Sequence, residues 1–203
     1  MGRSRRDLVL GLSALTVLAG CDKLGLPGSS KPSFHGVDIT GADYGRKLAL
    51  PDATGKDRTL ADFKGKVSVV FFGYTQCPDV CPTTMGELAL IKRALGADGD
   101  RLQGIFVTVD PARDTPEVLK AYLAAFDPSF VGLRGSPEQV AAAAREFKVF
   151  YAKVPGTTPG SYTMDHTAGT YVIDAKGNLR LFERYGMPAE QLQSDLKQLL
   201  APA

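Results

Sequence analysis

The stretch VSVVFFGYTQCPDVCPTT, residues 67–84, decides the fold. Val67 to Phe72 is an unbroken run of β-branched and aromatic residues apart from one serine, the pattern of a strand covered on both faces. A loop with two cysteines in C-x-x-x-C spacing, Cys77 and Cys81, follows at once. Pro82 and Thr83 then open a helix to about Leu95, with Leu88, Ile91 and Leu95 at helical spacing. Strand, cysteine loop and helix thus follow without a break.

The same alternation continues downstream. QGIFVTV, residues 103–109, reads as a second buried strand. Thr115-Pro116-Glu117 carries an N-cap residue, a first-turn proline and an acid near the helix dipole, and predicts a helix to about Phe126. Ser136-Pro137-Glu138 repeats the device for a helix to about Phe147. Thr167 to Ile173 reads as a strand, residues 174–178 as a turn, Leu179 to Tyr185 as its hairpin partner, and Met187-Pro188-Ala189-Glu190 as the start of a last helix to Leu200. Upstream, Arg46 to Leu50 and Arg58 to Leu60 flank a turn with Gly55, an N-terminal β-hairpin. Strands alternating with helices give an α/β class with parallel pairs in the middle. The architecture resembles a thioredoxin-like sandwich: a central mixed sheet flanked by helices, with N-terminal and C-terminal β-hairpins. Such a fold places its working cysteines where a central strand gives way to a helix, as Cys77 and Cys81 are placed.

The chain has 203 residues, of which 44% are hydrophobic and 23% charged, enough for one domain with a real core. Residues 1–20 stand apart. Three arginines precede an apolar run from Leu8 to Gly20, too short for the ~20 residues of a membrane span. This is the pattern of a secretion signal. It ends in Leu18-Ala19-Gly20-Cys21, similar to a bacterial lipobox, so Cys21 is the expected lipidation site and Asp22 resembles a signal for retention at the inner membrane. Ser4-Arg5-Arg6-Asp7-Leu8 resembles a twin-arginine signal, and the general secretion route stands beside it. Residues 21–45, rich in Gly, Pro, Ser and Asp, read as a lipidated tether, and residues 46–203 as the domain. Of 24 basic and 22 acidic residues, the first 20 positions hold three and one, so the remainder carries 21 of each. That balance leaves no argument for a nucleic-acid partner.

Two thiols remain in an exported, oxidising compartment. A disulfide between them would close only a very short loop and stabilise little. A helix N-terminus lowers thiol pKa and favours thiolate, and soft thiolates select Cu(I), zinc or iron–sulfur. More donors are needed, and the chain has two histidines. His35 lies in the tether and reads as incidental. His166, in TMDHT ahead of a predicted strand, falls in the region beside the cysteine loop where thioredoxins carry a cis-proline, and no proline stands between Met164 and Thr170. Asp79 reads as turn chemistry, Asp165 either as an acceptor orienting the His166 ring or as a surface charge, and Met164 as packing.

FFGYTQCPDVCPTT, TVDPARDTPEVLKAYLAAFDPSFVGLRG and DHTAGTYVID, together spanning roughly residues 60–175, resemble the Sco (SenC) family of copper-binding assembly factors for cytochrome c oxidase. The resemblance implies one copper ion, Cu(I) or Cu(II), held by Cys77, Cys81 and His166. It also implies a role in building the dinuclear copper site of oxidase subunit II. A metal-transfer role of this kind calls for another periplasmic copper carrier and a thioredoxin-like reductant as further partners. The family is usually tethered by a transmembrane helix; here the lipobox supplies the inner-membrane anchor, facing the bacterial periplasm.

Cys77 and Cys81 can also cycle as a redox pair, and a disulfide cannot ligate copper. The competing function is therefore a periplasmic thiol–disulfide reductase acting on the cysteines of that copper site. Thioredoxins use C-x-x-C, and the longer loop here counts against it. A thiol peroxidase would carry T-x-x-C, whereas Thr75 stands two residues before Cys77. A closed zinc site wants four protein ligands, and three are credible here.

Overall fold

The computed structural model describes residues 33–201. Its centre is a six-stranded mixed sheet in the order β1-β10-β9-β4-β5-β6. The strands are β1 (Val37–Asp38), β4 (Val67–Gly73), β5 (Leu102–Thr108), β6 (Val131–Leu133), β9 (Thr170–Ile173) and β10 (Leu179–Glu183). β4, β5 and β6 run parallel, while β9, β10 and β1 are added antiparallel. Every residue of β4 and β5 is buried, as the continuous apolar runs require.

Four helices cover the sheet: α1 (Val80–Ala94), α2 (Pro116–Ala124), α3 (Pro137–Glu146) and α4 (Ala189–Leu200). Helices α1 and α4 touch one another and pack on β5 and β4, while α2 packs on β6. Thr115 and Ser136 cap α2 and α3 through bonds from the amides of Val118 and Gln139, each 3.3 Å, with proline in the first turn of both. The fold is thioredoxin-like, as the alternation predicts. Among the described residues no helix is long and apolar enough to cross a membrane.

Two small hairpins complete the structure. β2 (Ala49–Pro51) pairs with β3 (Asp57–Thr59), the N-terminal hairpin read from the sequence. The second, β7 (Tyr151–Pro155) with β8 (Tyr162–His166), is a correction. The sequence reading makes one strand of Thr167–Ile173, but the central strand begins only at Thr170, and His166 ends a separate strand whose partner is Tyr151. The two-stranded sheet buries only Met164 among its ten residues, so its apolar signal is weak.

The structure also describes residues ahead of the domain. Residues 33–45, read as tether, already pack against it. Val37 and Asp38 pair with Phe182 and Leu181, and the backbone N–H groups of His35 and Gly36 donate to the Asp195 carboxylate at 2.8–3.1 Å. Cys21, the lipobox and the paired arginines lie outside the described residues.

Candidate metal centre

β4 delivers the chain to the site. It ends at Gly73, where a Cβ would lie 2.9 Å from the Cys81 sulfur and 2.7 Å from the Phe71 ring. Glycine therefore leaves the space in which that sulfur sits. The loop turns through Cys77, and α1 starts at Val80, two residues before the expected Pro82, so Cys81 belongs to its first turn. First-turn N–H groups have no partner within the helix. The Cys81 amide finds one in the Cys77 sulfur at 3.4 Å, and Pro82 has no N–H to satisfy. Asp79 stands at the N-cap position without a side-chain cap bond and takes no part among the grouped donors.

His166 arrives from the end of β8. Its Nε2 lies 3.4 Å from the Cys81 sulfur, and the ligand atoms of Cys77, Cys81 and His166 all fall within 4.8 Å of one another. The ring packs edge-on against Phe71 and Tyr74, with centroids 5.7 and 6.0 Å away. Its Nδ1 is 3.0 Å from the carbonyl oxygen of Thr167. A carbonyl only accepts, so Nδ1 carries the hydrogen and the neutral ring turns its Nε2 lone pair toward Cys81. Thr167, rather than Asp165, thus orients the ring; Asp165 is exposed. His35 stands outside the group and Met164 is buried as a packing residue.

Burial sets the protonation of the site. It lowers the pKa of His166 and so favours the neutral ring, while the bond to the Thr167 carbonyl acts in the opposite direction. Burial pushes the Cys81 thiol far up, against a bond from the Tyr74 backbone N–H. For Cys81 this corrects the expectation that the helix N-terminus favours thiolate: the residue is fully buried, and desolvation dominates. Cys77 is half-buried and Cys81 buried, so the two cysteines differ in exposure.

The loop after β5 supports the site, and the sequence reading assigned it no part. Asp114, fully buried, accepts bonds from Thr75 N–H at 3.1 Å, Thr75 Oγ1 at 2.6 Å and Thr108 Oγ1 at 2.5 Å. Arg113 reaches Gln76 and the Tyr162 carbonyl, next to Cys77 and at the start of β8. The cluster of charges in DPARDTP directly after a buried strand was the available signal.

The three donors can hold a soft metal. Two sulfurs and one imidazole nitrogen are the donor types that select Cu(I) and related ions. Ligand bonds of about 2.0–2.3 Å need donor atoms roughly 3.5–4 Å apart, and the observed separations of 3.4 Å and up to 4.8 Å bracket that need.

Comparison with known proteins gives a consistent result. A family model described as SCO1/SenC matches residues 37–201. An SCO2-like protein of Rickettsia felis is 37% identical over 191 residues, covering 92% of this chain and 91% of its own. The structure of Bradyrhizobium japonicum ScoI with copper bound shares 42% identity, covers 75% of this chain and 97% of its own, and superposes with a TM-score of 0.68. BsSco, described as a member of the Sco family of cytochrome c oxidase assembly proteins with a disulfide switch, shares the fold at 21% identity, with a TM-score of 0.62 and coverage of 83% of this chain and 99% of its own.

Proposed function

The chain belongs to the SCO1/SenC family, and from that premise we propose that it is a copper chaperone for the dinuclear copper site of cytochrome c oxidase subunit II. Cys77, Cys81 and His166 hold one copper ion as cargo. The lipid on Cys21 keeps the protein at the periplasmic face of the inner membrane. The observation that carries this reading is the convergence of two sulfurs and a lone-pair nitrogen within 4.8 Å. The copper-bound relative from Bradyrhizobium japonicum supports the choice of metal.

The residues divide the work. The neutral His166 ring offers Nε2 without first losing a proton. The two thiols release their protons as they bind metal and recover them when it leaves, so loading is favoured as pH rises. Cys77 and His166 are partly exposed, so a partner's ligand can enter from their side, while the buried Cys81 retains the ion from behind.

A second reading has its own observation. Cys77 is accessible, Cys81 is enclosed and both are free thiols with sulfurs in the same cluster, the arrangement of an attacking and a resolving thiol. The two readings separate in one experiment: titration of Cu(I) and Cu(II) into the reduced protein and its His166→Ala variant. One tight copper per chain, with sulfur-to-copper charge-transfer bands that change when His166 is lost, is the expected result. Absence of tight copper from the wild type would overturn the chaperone reading and leave the thiol–disulfide reductase.

A further inference from the structure

Arg113 occupies a position that copper ligation alone does not explain. It lies in the loop between β5 and α2, outside the donor group. Its Nε forms an ion pair with the Asp110 carboxylate. Its Nη1 donates to Gln76 Oε1 at 3.1 Å and to the Tyr162 carbonyl at 2.9 Å. The guanidinium lies 3.6 Å from the Tyr162 ring centroid and 5.6 Å from that of Tyr74. Tyr162 in turn donates its hydroxyl to Asp110 at 3.0 Å.

These contacts tie together three segments. Tyr74 and Gln76 belong to the cysteine loop, Tyr162 opens the strand that ends in His166, and Asp110 belongs to Arg113's own loop. The hairpin of β7 and β8 forms a separate two-stranded sheet, so no ladder of the central sheet fixes it. An isolated two-stranded hairpin is marginal by itself. The guanidinium suits the task because its planar fork can donate in several directions while stacking on a ring. Arg113 Nη2 is buried without an acceptor, so the group sits there at a cost that its other contacts offset.

We propose that Arg113 is a positioning residue which clasps the His166 hairpin to the cysteine loop in the metal-free protein, so that the imidazole is in place before copper arrives. The inference rests on the copper reading of the site. Arg113 touches no donor atom; it acts through His166. A donor already in place does not have to be ordered when the ion binds, and the saving appears as affinity.

The test pairs Arg113→Met, which keeps an apolar stem over Tyr162, with Arg113→Lys, which keeps the charge but not the fork. In the metal-free proteins, amide hydrogen exchange across residues 162–167 is expected to accelerate in both variants. Cu(I) affinity, measured by chelator competition, is expected to fall about 10- to 100-fold, the usual cost of losing a residue that orients a ligand. In a His166→Ala background, Arg113→Met is expected to cause no further loss of affinity. An additive loss in that background, or unchanged hairpin exchange in Arg113→Lys, would overturn the clasp. Should Arg113→Met fail to fold, the lysine variant alone decides both readouts. If the wild type takes up no copper, the chaperone reading fails, while exchange in the metal-free hairpin still judges the clasp.

Discussion

The carboxylate of Asp114 receives both the backbone N–H and the hydroxyl of Thr75, two residues ahead of Cys77 and 39 residues away in sequence. With Thr108 Oγ1 as a third donor, it pins the start of the cysteine loop to the end of β5. Asp114→Ala removes the acceptor from three donors in a buried setting. The expected cost is about 2–4 kcal/mol, read as a lower midpoint in urea denaturation. Asp114→Asn, which keeps an acceptor oxygen, is expected to lose less than half as much. Equal losses in the two variants would show that volume, and not the bonds, matters there.

Gly73→Ala introduces a methyl group 2.9 Å from the Cys81 sulfur and 2.7 Å from Phe71. Both neighbours are buried and cannot swing aside. Overpacking of this kind costs about 1–3 kcal/mol. The variant is therefore expected to melt lower and to bind copper more weakly, because the displaced sulfur is one of the three proposed ligands. A wild-type melting temperature with intact copper binding would mean that the loop yields more easily than this packing implies.

Glu183 gives the domain a pH dependence of its own. Its carboxyl is buried, neither oxygen has a donor, and Asp195 lies close; burial first and that carboxylate second raise its pKa from the ordinary 4.5 to about 7. The folded protein holds this proton more tightly than the unfolded chain. Its contribution to stability is thus intact below pH about 4.5 and is lost as pH rises through the interval to about 7, a total fall of about 3 kcal/mol. Glu183→Gln is expected to be more stable than wild type at pH 8 and to flatten that part of the profile, measured by urea denaturation across pH 4–8. Parallel profiles for the two proteins would remove Glu183 as the source.

Cys21→Ser is expected to move the protein from the membrane fraction to the soluble fraction of cells, since the thioether that carries the lipid can no longer form. Fractionation and immunoblotting read the outcome directly. An unchanged membrane fraction would refute lipidation at this residue.

The parts of the fold that were legible in sequence are those set by local chemistry. The apolar runs of β4 and β5, and the Thr115 and Ser136 caps, announce themselves within a few residues. Strands that depend on distant partners did not. β1 is two residues inside a stretch rich in Gly and Asp, and it exists because β10 offers an edge. The hairpin that carries His166 alternates too weakly to be seen, with Met164 its single buried residue. The three donors could be named from their chemistry and scarcity. Thr167 as the ring's partner, Gly73 as the seat of a sulfur and Arg113 as a bridge could not, since each role exists only across long-range contacts. The ionisation of Cys81 was misread for a related reason: helix position is local, whereas burial is a property of the whole core.

The separation of 85 positions between Cys81 and His166 also has a consequence for when the site can exist. An unfolded chain carries its two sulfurs close together in sequence, but the imidazole joins them only when β4, β5 and the late hairpin are all in place. Copper offered early meets a mere dithiol, equally open to oxidation. Copper offered late meets a finished cup. On the chaperone reading, copper loading would therefore favour molecules that have completed their folding.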